Sequence, residues 1–351
     1  MEPGTLLANQ YRIGGLLGQG GMGAVYAGVA VHNGRPVALK VMLADFAASA
    51  AFLERLRREA HAMGVIDHPH VVRVFDLVLD AKQPFLAMEL LRGRTLGSVL
   101  RRDGAAHPVH MARVGVQLLN ALEAVHRAGL VHRDVKPDNI FLLAGCPEPF
   151  AKLLDFGLVK RVNKKEPELT KVSTALGTWQ YMAPEQGLGL HVDARADVYS
   201  LGASLYYALT GQRPYEAAGV DAAMFACSMR PTLPLRRLRP DLSRRFCTVI
   251  DRALAKEAAR RWASAEAMAE ALEASIETML EADDSLSIES VLPNEAMDIT
   301  ARESRRFGYS RDVTTVVRER GGDVGALEMV DPGIADLLEG ARDVDGGKCV
   351  A

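Results

Sequence analysis

Cysteine is scarce in this chain of 351 residues: Cys146, Cys227, Cys247 and Cys349 are the only ones, with no CxxC pair and no paired His spacing. That argues against a disulfide scaffold and against a zinc site, and it fits a reducing cytosol. A signal peptide is not expected either, because "MEPGTLLANQYRIGG" has neither a basic start nor a long apolar run. The longest apolar helical candidate, "VYSLGASLYYAL" from Val198 to Leu209, is too short to cross a bilayer and reads as a buried core helix. Nor is there an overall charge bias: the net charge is −2, which points to neither nucleic acid nor a membrane surface as a partner. The expectation is a cytoplasmic protein.

Apolar residues make up 48 % of the chain, enough for a sizeable core in one large domain or two, plus a tail. The charge is unevenly spread. From Glu281 onward there are 8 Lys and Arg against 16 Asp and Glu, a balance of −8. The remainder holds 34 against 28, or +6. A basic body suits an anionic ligand, although a solvated tail on an ordinary domain would give the same numbers.

Residues 11 to 43 alternate apolar and polar side chains, with β-branched valines and an "HNGR" turn whose Asn33-Gly34 signals a hairpin. "AAFLERLRREAHAM" changes period: Phe52, Leu53, Leu56, Ala60 and Met63 fall on one helical face. "VVRVFDLVLD" and "QPFLAMELL" return to strands. Beyond about Thr95 the pattern is mainly helical, and "MARVGVQLLNALEAVHRAG" ends at Gly129, a good C-cap. Further helical signals cover residues 185–210, 219–228, 242–256 and 264–280. A β-rich part thus precedes a helix-rich part, and two lobes joined near Leu90 to Gly93 would leave a cleft. The last segment mixes acid, Ser, Thr and short apolar pieces without period, apart from a helical hint at "GIADLLEGA". Such composition is expected to be disordered.

Three stretches carry chemistry. Gly18, Gly20 and Gly23 stand in a GxGxxG spacing within "LGQGGMGAVY". Glycine lets backbone N–H groups approach phosphate oxygens. The same spacing marks dinucleotide-binding turns, but there the glycines open a helix, whereas here they lie between strand-like runs; a plain glycine-rich hairpin is the other alternative. Lys40 in "VALK" ends an alternating strand and, pointing inward among Val37, Ala38 and Val41, needs a partner. Glu59 on the following helix is the natural one; two unrelated surface charges would look the same in sequence. Finally, "LVHRDVKPDNIFL" crowds His132, Arg133, Asp134, Lys136, Asp138 and Asn139 between apolar flanks, and "LLDFGL" adds Asp155. Asn139 and Asp155 offer oxygens to a hard divalent cation such as Mg²⁺. That leaves Asp134 to accept a proton from a hydroxyl nucleophile.

In order and spacing, the glycine loop, VALK, HRD, KPDN, DFG and "MAPEQ" resemble the eukaryotic-type protein kinases. The chain is similar to bacterial serine/threonine kinases of that superfamily over about residues 11 to 275. The resemblance implies an α+β, bilobal protein-kinase-like fold with a small β-rich N-lobe (about 11–91) and a larger helical C-lobe (about 92–275). Residues 1–10 would be an N-terminal extension and 276–351 an acidic, disordered tail. It implies ATP-dependent transfer of the γ-phosphate to Ser/Thr hydroxyls of protein substrates in bacterial signalling, with Mg²⁺, or Mn²⁺ in its place. Leu17, Gly18, Gly20 and Gly23 would cover the nucleotide, and Lys40, braced by Glu59, would hold its α- and β-phosphates. Val25, Ala38 and Phe141 would sandwich the adenine, with Met88 as gatekeeper and backbone groups of Glu89 and Leu91 on the adenine edge. Asp134 would be the catalytic base, Lys136 would touch the transferring phosphate, and Asn139 and Asp155 would hold the metal.

Residues from Leu158 to Met182 resemble an activation loop, in which Thr170, Ser173 and Thr174 are candidate phosphosites and Arg133 could supply part of a cationic pocket. Thr178 would lie near Asp134, Glu185 would pair with Arg261, and Asp197 would anchor the catalytic-loop backbone. "KEAARRWAS" departs from the family in lacking Pro beside the Arg, which touches no catalytic role. Two other functions are compatible with such a fold: a scaffold without catalysis, which would usually lack the base, the metal Asp or the Lys, and a small-molecule phosphotransferase, against which "GTWQYMAPEQ" argues. The tail would either dock on the basic body or recruit a regulatory partner.

Overall fold

The computed structural model describes residues 1–20, 23–43, 57, 64, 66–79, 83–155, 179–215, 225, 227 and 229–281, with 277–281 described by backbone only. Strands β1 (Leu6–Leu7), β2 (Tyr11–Gly20), β3 (Gly23–Ala30), β4 (Pro36–Met42), β5 (Val74–Val78) and β6 (Phe85–Glu89) form an antiparallel sheet in the order β1-β2-β3-β4-β6-β5. The Asn33-Gly34 turn joins β3 to β4, with Gly34 at φ 69° and the Asn33 side chain accepting from the Arg35 N–H at 3.0 Å. The N-terminal ten residues are part of this lobe: β1 adds an edge strand, and Leu7 is buried in the sheet core.

The register divides this sheet into two faces. Tyr26 pairs with Leu39, Leu39 with Ala87, and Val41 with Phe85. With Ile13 and Tyr11 these side chains form the lobe's hydrophobic core. Successive side chains on a strand point to opposite faces. Val25, Ala38, Lys40 and Met88, which also pair with one another across β3, β4 and β6, therefore share the other face.

After Glu89 the chain crosses at Gly93, whose φ of 147° and contact with the Leu142 carbonyl leave no room for a Cβ. A second antiparallel sheet follows, β7 (Gly93–Thr95), β8 (Ile140–Leu143) and β9 (Ala151–Leu153). Helices α1 (Leu96–Asp103), α2 (Pro108–Arg127), α3 (Pro184–Gly187), α4 (Arg195–Thr210), α5 (Leu235–Leu238), α6 (Arg244–Ala253) and α7 (Ala265–Glu281) build the larger lobe. Pro108 opens α2 at a position whose N–H would have no helical partner, and Gly129 at φ 75° ends it. The apolar run read as a core helix is α4, and Val198, Tyr199, Leu201, Leu205 and Leu209 on it are all buried. A helix apolar all round belongs inside.

Helix α7 continues to Glu281, so residues 276–281, expected in the tail, belong to the helical lobe. The amphipathic stretch around Glu59, the activation-loop hydroxyls Thr170, Ser173 and Thr174, Thr178, most of the 219–228 helix and residues 282–351 lie outside the described residues. Among the described residues no helix is long and apolar enough to cross a membrane. Cys227 and Cys247 are buried free thiols. Cys146, between β8 and β9, is disulfide-bonded.

The buried guanidinium of Arg261 holds the base of the large lobe together. It donates to both carboxylate oxygens of Glu185 at 2.6 and 2.7 Å and to the carbonyls of Ala255, Arg195 and Lys256. Removing one partner of a buried pair leaves the other charge unsatisfied. Glu185→Ala should therefore destabilise the lobe by about 3–5 kcal/mol, read as a lowered urea midpoint. Changing the exposed pair Arg260–Glu257 should shift it by less than about 1 kcal/mol.

Candidate active site

The loop from Leu130 to Asn139 is positioned by a buried carboxylate. Asp197, in the first turn of α4, has no solvent exposure. Its Oδ2 accepts from the His132 backbone N–H at 2.8 Å and its Oδ1 from that of Arg133 at 2.7 Å. His126 Nε2, on α2, lies 2.8 Å from Oδ2. Arg133 is thereby held at φ 64°, a left-handed conformation that costs a non-glycine residue about 1–2 kcal/mol. Gln186 Nε2 on α3 donates to the Arg133 carbonyl at 3.1 Å.

His132 turns into the core and is fully buried. Burial lowers its pKa, against smaller upward pulls led by Asp197. A neutral ring satisfies both of its contacts: Nε2–H donates to the Leu154 carbonyl at 2.9 Å, and Nδ1 accepts from the Asp134 N–H at 3.2 Å.

The next residues converge. Asn139 Nδ2 donates to the Asp134 carbonyl at 2.8 Å and to Asp134 Oδ2 at 3.0 Å, and Lys136 Nζ lies 3.3 Å from the same Oδ2. The Asn139 carbonyl accepts from the Leu154 N–H at 2.8 Å, which fixes Asp155, the next residue, beside this loop. Asp155 sits at φ 41° and receives Lys40 Nζ on Oδ1 at 2.5 Å. Burial pushes the Asp155 carboxyl up, but Lys40 overrides it, with help from His132 and Lys136, and holds it below the usual carboxylate range. Lys40 on β4 thus reaches across the crevice, and Asp134, Lys136, Asn139 and Asp155 gather opposite the sheet face that carries Val25, Ala38 and Met88.

Two hard oxygen donors, the Asn139 amide and the Asp155 carboxylate, stand side by side here. Asn139 makes its contacts to Asp134 through Nδ2, which turns Oδ1 away from that carboxylate, and the Lys40 contact runs to only one oxygen of Asp155. Such a set fits Mg²⁺ or Mn²⁺, which take few protein ligands and keep water and phosphate oxygens as the rest.

The glycine positions differ in kind. A Cβ at Gly23 would meet the Val41 carbonyl oxygen at 2.1 Å, and its φ is 154°, so the fold itself requires glycine there. A Cβ at Gly18 or Gly20 would meet no protein atom within 4 Å. Phe141, on β8, pairs with Thr95 and Lys152. Leu17 lies on β2, and Leu91 in the segment before Gly93.

One contact was not anticipated from sequence. Lys152 on β9 donates to Glu89 Oε1 at 2.7 Å, and the same oxygen accepts from the Arg73 N–H, tying the end of β6 to the second sheet. Only the pairing of β8 with β9 brings these residues together. A cavity of about 400 Å³ lined by Tyr11, His32, Arg35, Arg73 and Phe75 borders the core side of the small sheet, and Lys40, Asp134, Asn139 and Asp155 are not in its lining.

Burial lowers the pKa of His68, His70, His110 and His132 below 6.5. Below 6.5 the unfolded chain binds more protons than the folded one, so stability is complete above that pH and is lost as pH falls. The urea midpoint should be lower at about pH 5 than at about pH 7.5, with a shallower dependence in His132→Phe.

The protein kinase domain family matches residues 11–272. The chain is 41 % identical over 267 residues to the serine/threonine-protein kinase Pkn1 of Myxococcus xanthus, covering 76 % of this chain and 38 % of that protein. It is 39 % identical over 255 residues to PknH of Mycobacterium tuberculosis, covering 73 % of this chain and 40 % of that protein. It therefore spans about two fifths of the length of these relatives. The crystal structure of the Mycobacterium tuberculosis PknI kinase domain superposes with a TM-score of 0.62 at 29 % identity, covering 78 % of this chain and 99 % of that one. With its two lobes, its crevice and the match over residues 11–272, the chain belongs to the protein kinase family.

Proposed function

We propose that this protein is an ATP-dependent serine/threonine protein kinase, acting in the cytoplasm in bacterial signalling on proteins that present Ser or Thr hydroxyls. The observation that carries this reading is the Lys40–Asp155 contact across the crevice, with Asp134, Lys136 and Asn139 in the same cluster. Such a cluster concentrates cations, oxygen donors and a carboxylate around one place, as phosphoryl transfer requires.

In this reading, Gly18 and Gly20 leave open space because a phosphate chain passes there, and Leu17 and Gly23 complete the covering loop. Val25, Ala38 and Phe141 enclose the adenine, Met88 is the gatekeeper, and Glu89 and Leu91 present backbone groups to its edge. Lys40 leaves Asp155 for the α- and β-phosphates, with Glu59 bracing it. Asn139 and Asp155 would hold Mg²⁺, whose charge would offset that of the phosphates. Asn139 and Lys136 already orient the Asp134 carboxylate, which takes the proton of the incoming hydroxyl. The alcohol oxygen bonds to the γ-phosphorus as the bond to the bridging oxygen breaks, and Lys136 stays on the transferred group while ADP leaves. The protein contributes position and charge rather than a covalent intermediate.

Autophosphorylation on Thr170, Ser173 or Thr174 would create a phosphate for Arg133 to help bind, and a regulatory partner would act through the acidic residues beyond the helical lobe. Incubation with ATP and Mg²⁺ should put phosphate on Ser/Thr of the protein, and Lys40→Met and Asp155→Asn should abolish it. Asp134→Asn should lower the rate by roughly 10²–10⁴-fold; a loss of only a few-fold would remove Asp134 as base. A folded wild type that incorporates no phosphate into itself or generic protein substrates would favour a non-catalytic scaffold.

A further inference from the structure

Between Met229 and Arg245 the chain carries six arginines and a single acid, Asp241. Arg239 is used internally: it forks onto Asp241 and donates to the Leu209 carbonyl at 2.7 Å. Arg230, Arg236, Arg237, Arg244 and Arg245 are exposed and have no ion-pair partner among the described residues. The fold gathers them. Leu235 is buried and its N–H donates to Asp251 of α6 at 2.9 Å, which pins α5 to α6 and leaves Arg236 and Arg237 outside. Arg244 and Arg245 fill the first turn of α6, which holds no acidic residue to balance the helix dipole.

The chain just before these cations exposes apolar side chains. Cys227 points inward, its thiol donating to the Met182 carbonyl at 3.1 Å. Phe225 and Met229, helical residues on the opposite side of that turn, are 59 % and 69 % exposed, and Leu233 is 40 % exposed. Exposed aromatic and thioether side chains in the same stretch of chain as arginines with no ion-pair partner among the described residues suit a segment that is both apolar and acidic.

The chain contains one. Residues 323–345, "DVGALEMVDPGIADLLEGARDVD", hold seven acids and one arginine, interleaved with Leu327, Met329, Val330, Ile334, Leu337 and Leu338. We propose that this segment docks in cis on the arginine-rich surface of α5 and α6, with its leucines against Phe225 and Met229. The intervening 282–322 is long enough: as a flexible chain, about 40 residues span roughly 35 Å root-mean-square. Its starting point is favourable, because α7, which ends at Glu281, packs against α6. Tethering raises the effective concentration, so a weak contact is populated without a second molecule. Acidic or apolar partners of the kinase would then have to displace the segment from this surface. The placement does not depend on phosphoryl transfer.

Hydrogen exchange on the full chain tests this without reference to activity. Amides of 323–345 should exchange about tenfold more slowly in the wild type than in Arg236→Glu/Arg237→Glu/Arg244→Glu/Arg245→Glu. Amides of α4 should keep their protection in both, as the check on folding. Asp331→Lys/Asp336→Lys/Glu339→Lys should lose protection in the same way, and combining the two sets of substitutions should restore it. Free exchange of 323–345 in the wild type would overturn the docking, as would protection indifferent to the arginine reversals. Protection that disappears on dilution would overturn docking in cis and assign the contact to a second copy.

Discussion

A single carboxylate with no exposure to solvent organises the catalytic side of this molecule. Asp197 takes the backbone N–H groups of His132 and Arg133 and meets His126, all from inside the large lobe. A buried charge is costly unless hydrogen bonds answer it, and here they are answered by the loop that must be held still. The loop in return adopts a left-handed residue at Arg133 that it would not keep unaided. From that point outward, Asp134 meets Lys136 and Asn139, Asn139 binds the strand before Asp155, and Asp155 meets Lys40.

The two lobes contribute differently. The small sheet has a core face and a crevice face because its strands alternate, and Lys40 falls on the crevice face with Val25, Ala38 and Met88. The large lobe is built around α4, whose apolar surface is covered on every side. Its fixed polar points are Asp197 and the Arg261–Glu185 pair, which meet at the start of α4, where Arg261 also donates to the Arg195 carbonyl. Among the described residues, the lobes are joined by the Lys40–Asp155 and Lys152–Glu89 ion pairs, by the bonds linking His70 and Val72 to Leu153, and by an apolar cluster of Val71 and Val74 with Ala121 and Val125 of α2.

Much of this was legible in the residues themselves, for local reasons. Alternation, the Asn33-Gly34 turn and Gly129 are short-range signals, and they give β2 to β4 and the end of α2 where expected; α2 starts at Pro108, three residues before the periodic stretch from Met111. The cluster of HRD, KPDN and DFG residues could be read because phosphoryl chemistry needs those groups in one place. Leu6–Leu7 gave no such signal, since a two-residue edge strand owes its existence to the strand beside it. The helical signal over 264–280 matches α7, which ends at Glu281, so the bound of the lobe expected at 275 falls inside that helix.

What the sequence determined alone, then, was which residue types stand at which intervals, and with them the alternation that makes strands and the kit of a phosphate-handling site. Only the tertiary structure decided which charges meet. That Lys40 lies on Asp155, that Lys152 and not another cation holds Glu89, and that the exposed arginines of α5 and α6 are brought together all depend on long-range pairing of strands and helices. Ion pairs fall off within a few ångströms, and separation along the chain says nothing about separation in space.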